Sequence, residues 1–361
     1  MINYLIRKIG YAILIVWGVV SLIFFLFNVI PGDPTRMILG QHTDSASIEM
    51  VKRDLGLNQP LWKQYVNYLN DLSPISVHNN KNINSYFYLD KTKYRHFTTI
   101  FSAGKISVIL KLPYLRRSYQ SKKEVTAIIS ETFFNTFILA FTAIFIAAVL
   151  GIFLGIVSAL KKDKPKDRII LLISSLGMSL PSFFAAILTG WIFAYLLGNY
   201  TGLNLTGNLY EIDPMGNGKY LALQNLILPA LTLAIRPLAV FIQLTRNALL
   251  EVLSQDYIRT ARAKGLSESK VLWKHAIKNA LNPVITAISG WFASLMAGVV
   301  FVEYIFGWKG LGYVLVDSLN NYDLPLVIGV VLTISIIFVI INILVDIAYT
   351  ILDPRVKLYG A

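Results

Sequence analysis

Few side chains of this chain have the types and spacing that catalysis needs. Its four histidines are His42, His78, His96 and His275. None of them belongs to a metal-ligand spacing, and the sequence has no cysteine, no Gly-x-Ser-x-Gly motif and no complete Gly-x-x-x-x-Gly-Lys-Ser/Thr phosphate loop. We therefore expect no catalytic residue, no metal and no cofactor bound by the chain itself, and we predict that it is not an enzyme.

One charged side chain interrupts an apolar stretch. In "LILPALTLAIRPLAVFIQLTRNALL", Arg236 precedes Pro237 near the middle. An arginine that faces lipid at the bilayer centre would cost about 2.5 to 3.5 kcal/mol. We expect Arg236 to face the interior of a helix bundle or a watery path, where it could pair with a substrate carboxylate or carbonyl, beside a kink at Pro237. The alternative is that it reaches the interface near one end of the helix.

A polar and basic stretch, "YIRTARAKGLSESKVLWKHAIKNALNP", lies between two apolar runs. Its first part, Tyr257 to Ala263, predicts a short helix, and Gly265 suits the left-handed position that ends a helix. A second helix is expected to begin near Ser267. The residues alone fit two interpretations equally: an interfacial hairpin whose lysines reach lipid headgroups, or a docking surface for a soluble partner.

Composition places these features in an integral membrane protein. The chain has 361 residues, of which 55% are hydrophobic and 15% charged, with a mean hydropathy of +0.59. Apolar runs long enough for a span of roughly 20 residues cover 9–32, 132–160, 169 into the 190s, 226–250, 279–302 and 324–345. We predict an all-α membrane fold with six transmembrane helices. Gly151 and Gly155 predict one close helix crossing.

The distribution of Lys and Arg predicts the orientation. Segments 161–168 and 246–278 hold five and seven of them, whereas 198–225 and 303–325 hold one each. Positive flanks stay on the cytoplasmic side, so both termini and the basic stretch are predicted to be cytoplasmic. Topology and lipid headgroups explain the formal charge of +13 better than nucleic acid does. Membrane lipid is therefore an expected partner, and nucleic acid is not.

The segment 33–125 is too long for a simple connection and is predicted to form an extracytoplasmic domain. The string "QPLWKQYVNYLNDL" has helical periodicity, whereas "KISVILKLP" and "INSYFYLD" alternate as strands do. A small α/β insertion between the first two spans is expected. The predicted parts are a transmembrane helix at 1–32, this domain, and a five-helix core at 126–361 with a cytoplasmic loop at 246–282.

Several segments resemble one protein family. "DYIRTARAKGLSESKVLWKHAIKNALNPVI" closely resembles the cytoplasmic loop of permease subunits of bacterial ATP-binding-cassette importers, in the version of the peptide and nickel subgroup. Other segments that resemble this subgroup follow in the expected order: "FNVIPGDP", "DLGLNQPLWKQY", "GIFLGIVSAL", "SLPSFF", "VEYIFGWKGLG", "DLPLVIGVVL" and "NILVDIAYTILDPRVK". The resemblance covers nearly the whole chain except about 73–112.

The resemblance implies a coupling role for the loop. The loop helix would lie in a cleft on a separate ATPase subunit, and Gly265 would set its angle. The residues implied in coupling are Asp256, Tyr257, Ile258, Arg259, Thr260, Ala261, Arg262, Ala263, Lys264 and Gly265. The implied partners are a second homologous permease, two ATPase subunits that hold ATP and Mg, and an extracytoplasmic solute-binding protein. The implied location is the bacterial cytoplasmic (inner) membrane, with multiple spans.

Family analogy also suggests a translocation path. It would be lined by Ser179 and Pro181 of "SLPSFF", together with Arg236 and Pro237, although a proline in a span by itself predicts only a kink.

Where the general importer pattern opens with Glu-Ala-Ala, the corresponding positions of this sequence are Arg259, Thr260 and Ala261, a variant associated with the peptide subgroup. The sequence departs from the family pattern at Lys309, where proline is common.

We interpret the chain as a permease subunit that works by alternating access, with peptides as the favoured substrate class. Nickel or another small solute is the alternative within the same architecture. An ATP-independent secondary transporter would need an intramembrane acid or histidine relay or inverted repeats, which the sequence does not show. A membrane scaffold without transport would need neither Arg236 nor a loop helix of fixed spacing.

Overall fold

The computed structural model describes residues 2–29, 58–82, 85, 87–90, 93–94, 97–213, 215–216 and 218–352. Residues 30–34 of the motif "FNVIPGDP", residues 33–57 of the predicted outer domain and the last nine residues lie outside this part. The chain divides into two compact units. Unit 1 comprises Met1–Ile9, Thr132–Val316 and Ile334–Ala361, and unit 2 comprises Gly10–Glu131 and Asp317–Thr333.

The described part is mostly helical. In chain order its helices are α1 (Ile2–Val29), α2 (Leu61–Leu72), α3 (Val125–Leu160), α4 (Pro165–Ser179), α5 (Ser182–Thr189), α6 (Gly198–Thr201), α7 (Gln224–Leu253), α8 (Asp256–Ala263), α9 (Glu268–Lys270), α10 (Ile277–Ala280), α11 (Asn282–Gly298), α12 (Val300–Ile305), α13 (Leu311–Asn320) and α14 (Leu324–Leu352). The π-helical segments are Gly190–Leu196, after α5, and Val271–Ala276, between α9 and α10. The strands are β1 (Ile75–Asn79), β2 (Phe97–Ala103), β3 (Ile106–Lys111), β4 (Tyr210–Ile212) and β5 (Lys219–Leu221).

The apolar helices agree with a membrane protein. Helices α3, α7 and the Leu324–Val345 part of α14 are long and apolar enough to cross a membrane. Two bent pairs bring the number among the described residues to five if each pair forms one span, and α1 contains the shorter apolar stretch Gly10–Leu26. The mostly helical fold with apolar helices is confirmed, whereas the number six stays a prediction.

The predicted third span is not one continuous helix. Helix α4 and the helical segment Ser182–Leu196 meet at 110°, a sharper break than a kinked span would give. Leu180, which precedes Pro181, has the extended backbone (φ −74°, ψ 126°) that a following proline favours. By contrast, α7 stays helical through Pro229 and Pro237.

The crossing of α3 and α7 in unit 1 depends on two glycines. A Cβ at Gly151 would lie 2.7 Å from the Phe241 Cβ, and a Cβ at Gly155 would lie 2.5 Å from the Thr245 Cβ and 2.8 Å from the Ile242 carbonyl oxygen. The backbone of α3 therefore lies directly on α7, which confirms the predicted close packing at the "GIFLG" glycines.

Replacing Gly155 by valine is expected to force α3 away from α7, because the new Cβ meets backbone that cannot move aside. We expect a loss of about 2 to 3 kcal/mol in the free energy of unfolding, within the range for overpacked sites, measured by thermal unfolding in detergent. Gly10→Val is the control, since a Cβ at Gly10 meets no atom within 4 Å. Equal unfolding temperatures for the two variants would contradict this assignment.

Helix α2 and part of α1 belong to unit 2 and pack together. The ring of Phe24 lies 5.2 Å from that of Tyr65 and 5.5 Å from that of Tyr68, and the Ser21 hydroxyl lies 2.5 Å from the Tyr65 hydroxyl. Leu332 of α14 completes this cluster. The helix predicted from "QPLWKQYVNYLNDL" is thus confirmed, and its aromatic face binds it to the apolar stretch of α1.

An antiparallel sheet with strand order β1-β3-β2 follows α2. The strand predicted from "KISVILKLP" is confirmed as β3, whereas β1 and β2 were not predicted. The strand predicted from "INSYFYLD" is not found among the described residues of that string, 85 and 87–90. In this string, Tyr88 forms an isolated bridge with Asn79, while Ser85 and Tyr88 donate their N–H groups to turn bonds.

The side of the sheet that faces the interior of unit 2 is mostly polar, although the apolar Ile109 is buried there as well. Ser76, His78, Ser107 and Lys111 are all buried there. His78 Nε2 lies 2.9 Å from Ser76 Oγ, and Lys111 Nζ donates to the Asp71 and Ser73 carbonyl oxygens. Burial, assisted by the nearby Lys111 ammonium, lowers the pKa of His78 to about 4, although Asp71 acts in the opposite direction.

The stability of unit 2 should therefore depend on pH through His78. Unfolded chains protonate this histidine below about pH 6.5, whereas the folded state resists protonation down to about pH 4. The free energy of unfolding should keep its full value above about pH 6.5. It should decrease by up to about 3 kcal/mol as the pH falls from about 6.5 to about 4. Hydrogen exchange of β1 and β3 at about pH 7 and about pH 5 measures this effect. His78→Gln should remove the difference attributable to His78, and an unchanged pH dependence in that variant would contradict it.

The segment between the π-helical turn after α5 and the start of α7 also contains strand structure that the sequence did not predict. Strands β4 and β5 pair antiparallel, with Glu211 opposite Tyr220. Each strand has only three residues, which is too short for a periodicity of two to be recognised.

Candidate functional site

The predicted coupling helix forms, and it is fixed to unit 1 by two side chains. Helix α8 buries Ile258 and Ala261 against Leu249 of α7, Val271 and neighbouring residues. The other residues of α8 are exposed, so the helix is strongly amphipathic. Unit 1 thus holds α8 from one side and leaves its other side exposed.

The end of α8 has the geometry of a Schellman motif. Gly265 has a φ of +77°. Its N–H donates to the Arg262 carbonyl oxygen at 2.9 Å, and the Leu266 N–H donates to the Ala261 carbonyl oxygen at 3.4 Å. Leu266 also packs against the cluster that buries Ala261. Gly265 therefore forms the turn that ends α8. After this turn, α9 begins at Glu268.

The exposed residues form one polar surface, which we call the α8 surface. It comprises eight of the ten residues predicted for coupling: Asp256, Tyr257, Arg259, Thr260, Arg262, Ala263, Lys264 and Gly265. Its side chains are partly ordered by local bonds. Asn279 Nδ2 donates to the Tyr257 hydroxyl at 3.0 Å. Across the Gly265 turn, Arg262 Nε donates to Glu268 Oε1 at 2.9 Å.

A buried ion pair fixes the helix that leads into α8. Arg246 of α7 donates Nε to Asp167 Oδ1 and one terminal nitrogen to Asp167 Oδ2, both at 2.8 Å. Only 2% of the Asp167 side chain is exposed, and Ser158 of α3 donates its hydroxyl to the same carboxylate. Three helices are thus tied together near Arg246, ten residues before α8 begins at Asp256. Sequence reasoning did not predict this pair; the only available signal was an acidic residue inside the basic string "KKDKPKDR".

The four residues predicted to line a path occupy less distinctive positions. Arg236, Ser179 and Pro181 are exposed on this chain, whereas Pro237 is buried. No hydrogen bond or ion pair of Arg236 is found with the described residues. Gly177 packs against Ile235, so the end of α4 lies beside the turn of α7 that carries Arg236. Their predicted role in translocation stays a prediction.

A second polar centre lies in the segment "VEYIFGWKGLG". Sequence reasoning did not identify it. The Glu303 side chain is fully buried. Its carboxylate accepts bonds from the Thr136 hydroxyl at 2.7 Å, the Gly312 N–H at 2.7 Å and the Tyr313 N–H at 3.1 Å. Glu303 therefore caps the first turn of α13 and joins it to α3.

The residues next to this centre are bonded to the same part of α3. Trp308 Nε1 donates to the Asn135 carbonyl oxygen, and Asn135 Nδ2 donates to the Lys309 carbonyl oxygen. The Lys309 N–H donates to Asn208 Oδ1 at 2.7 Å. A proline at position 309 could not make this last bond, so the departure from the family pattern at Lys309 adds a link to the segment before β4.

The sequence matches two family descriptions. Residues 151–358 match "Binding-protein-dependent transport system inner membrane component", and residues 1–85 match the N-terminal description "Binding-prot-dependent transport system membrane comp, N-term". The chain is 32% identical to a dipeptide transport system permease protein of Alkalihalophilus pseudofirmus, over 99% of this chain and all of the relative. It is 34% identical to a glutathione transport system permease protein of Pectobacterium atrosepticum, over 99% of both chains.

A di/tripeptide transport system permease protein of Pseudomonas aeruginosa is 31% identical over 99% of both chains. Among solved structures, the chain resembles the inward-facing MetNI methionine ABC transporter, with a TM-score of 0.50 and 15% identity. That match covers 63% of this chain and 97% of the solved chain. At this identity the likeness supports the fold alone.

Proposed function

Because this chain belongs to the family of inner membrane components of binding-protein-dependent transport systems, we propose that it forms half of the translocation pathway of an ATP-driven importer. The chain is a multi-pass membrane permease subunit and not an enzyme. In the proposed topology six helices cross the membrane, α1 included, and both termini and the α8 surface are cytoplasmic. The insertion around β1 to β3 is then extracytoplasmic.

The proposed assembly contains a second, homologous permease and two ATPase subunits, which bind ATP and Mg. An extracytoplasmic solute-binding protein delivers the ligand. The observation that carries this proposal is the α8 surface. A helix held rigidly by Ile258 and Ala261, ended by a fixed turn at Gly265 and polar on its free side is suited to lie in the cleft of a soluble partner.

The proposed mechanism is alternating access. Closure of the ATPase pair on ATP binding moves α8 as a lever, and the Arg246–Asp167 pair passes this movement to α4 and α3. The transport helices then open outward to receive the substrate. Because α8 has a buried anchor and a fixed end, its displacement moves the attached helices instead of bending a loop.

Peptides are the proposed substrate class. The relatives are described as dipeptide, di/tripeptide and glutathione permeases, and the identities extend over 99% of this chain. Nickel or another small solute in the same architecture is the alternative. Competition against the uptake of a labelled dipeptide separates these possibilities: unlabelled di- and tripeptides should compete, whereas Ni²⁺ should not.

The test of the coupling role changes the α8 surface without touching its anchor. Ala263→Arg adds a large side chain to this surface and is expected to reduce co-purification of the ATPase subunits, and ATP-dependent uptake, at least tenfold. Ser269→Arg adds the same side chain to an exposed position of the helical segment beyond the Gly265 turn and should leave both nearly unchanged. Equal behaviour of the two variants would argue against α8 as the ATPase contact.

A further inference from the structure

The sheet of unit 2 has an apolar side that is exposed. The register places Ile75 opposite Leu110, and Val77 opposite Val108, which in turn pairs with Phe101. Paired residues point to the same side of an antiparallel sheet, so all five side chains share one surface. Ile75, Val77, Phe101 and Leu110 are each between 49% and 62% exposed. We call this surface the sheet face; it also includes Ile106.

This arrangement differs from that of a soluble domain. In a sheet covered on one side, the apolar row normally faces the core and the polar row faces water. Here the buried row carries four polar residues, Ser76, His78, Ser107 and Lys111, beside the apolar Ile109, whereas the other row is apolar and exposed. A one-residue shift of register would exchange the buried and the exposed row, but the observed register keeps the apolar row exposed. The sequence therefore maintains an apolar sheet face that requires a cover of its own.

Of the two edge strands of the sheet, one is covered and the other is exposed. The edge of β1 is covered: Asn70 Nδ2 donates to the Val77 carbonyl oxygen, Asn70 Oδ1 accepts the Val77 N–H, and the Asn79 N–H donates to the Phe87 carbonyl oxygen. The outer edge of β2 has no partner among the described residues. Its sequence, "FTTIFSA", contains no charge and no proline, the usual protections of a free edge.

A partner protein that binds only transiently does not suit such a surface. An apolar face next to an unprotected strand edge promotes aggregation while it is uncovered, and permanent interfaces are more apolar than transient ones. A solute-binding protein must leave in each transport cycle, whereas a second permease subunit remains. Helix α2 joins the sheet to the apolar stretch of α1, because Asn70 is bonded to Val77 of β1 and Tyr65 contacts Ser21 and Phe24.

The charge around the sheet face indicates which charge the partner surface that covers it should carry. Residues 73–123 contain ten Lys or Arg and one Asp, a net charge of +9 from 10 − 1. Lys81, just beyond β1, and Lys105, in the turn between β2 and β3, are both exposed. A second copy of this chain would bring a like charge to the contact, whereas an acidic rim would complement it.

We propose that the sheet face and the β2 edge form a permanent contact with the extracytoplasmic part of the second permease subunit. The partner's surface has an apolar centre, an acidic rim and an extended strand that pairs with β2. This inference rests on the proposed function, which supplies a second permease. The insertion then serves to assemble the two halves of the pathway and not to bind the transported solute.

The absence of cysteine from the sequence makes the test direct. Phe101→Cys in the sheet face and Lys122→Cys, an exposed control position outside it, are each labelled with a benzophenone maleimide in native membranes. After irradiation, mass spectrometry identifies the attached protein. We expect Phe101→Cys to crosslink the second permease with and without ATP, and Lys122→Cys to give at least tenfold less of that product.

Crosslinks from Phe101→Cys only to the solute-binding protein, to lipid, to a second copy or to residues 33–57 of the same chain would overturn the proposal. Purification of the unmodified complex separates the two levels of inference. If no second permease co-purifies, the proposed function fails at that step; if one does but gives no crosslink, only this contact fails. In a second measurement, Phe101→Asp should reduce recovery of the second permease at least tenfold, and the ATPases should still bind. Full recovery with Phe101→Asp would also overturn the proposal.

Discussion

Replacing Arg246 by glutamine should lower the free energy of unfolding of unit 1 by about 3 to 5 kcal/mol, the range for removing one partner of a buried ion pair. The variant leaves the Asp167 carboxylate buried with the Ser158 hydroxyl and the Asp163 N–H as its remaining donors. Because the same pair joins α7 to α4 before α8, we also expect ATP hydrolysis by the complex to lose its stimulation by transported peptide. Thermal unfolding and peptide-stimulated ATPase activity measure the two effects.

The matched variants separate charge from geometry. Arg246→Lys keeps the charge but loses the two parallel bonds, so it should retain much of the stability and little of the coupling. The double variant Asp167→Leu with Arg246→Leu removes both charges and should recover stability without recovering coupling. If Arg246→Gln unfolded at the native temperature and retained its stimulation, the pair would have neither role.

Replacing Glu303 by alanine should be the other large effect, with a loss of at least about 3 kcal/mol in the free energy of unfolding. Three donors, the Thr136 hydroxyl and the N–H groups of Gly312 and Tyr313, would lose their acceptor in a buried place, and each unsatisfied donor costs about 1 to 3 kcal/mol. Thermal unfolding of the purified protein measures this loss.

Two controls define the cause of that loss. Glu303→Gln keeps one acceptor oxygen and should lose less than half as much. Gly310→Ala leaves the carboxylate in place, but its new Cβ would overlap the Glu303 carboxylate and the Thr136 hydroxyl, so it should be as damaging as Glu303→Ala. A tolerated Gly310→Ala would show that this segment does not pack as the structure describes.

The coupling helix could be predicted from the sequence because its signals are local. Its ending depends on Gly265 and on bonds between residues three to five positions apart, and the apolar positions Ile258 and Ala261 follow helical spacing. The pairs that position it are not local. Arg246 lies 79 residues from Asp167 and Glu303 lies 167 residues from Thr136, and no pattern in a single sequence relates residues so far apart.

The sheet shows a different limit. Alternation in "KISVILKLP" predicted strand β3, but alternation does not say which row is buried, and here it is the row of Ser107, Ile109 and Lys111. The same signal predicted no strand correctly among the described residues of "INSYFYLD", where Ser85 and Tyr88 make turn bonds instead. Pro181 predicted a kink, yet whether a proline bends a helix or breaks it, as it does at 110° between α4 and α5, depends on tertiary packing.

The central claim, that this permease couples ATP hydrolysis on other subunits to solute movement through the α8 surface, is tested most directly by reconstitution. The purified complex is placed in liposomes with solute-binding protein outside and ATP inside, and the uptake of a labelled dipeptide is measured for the native chain and for Ala263→Arg. We predict uptake that requires ATP and is at least tenfold lower for the variant. Uptake by the chain alone, without ATP or partner subunits, would contradict the account.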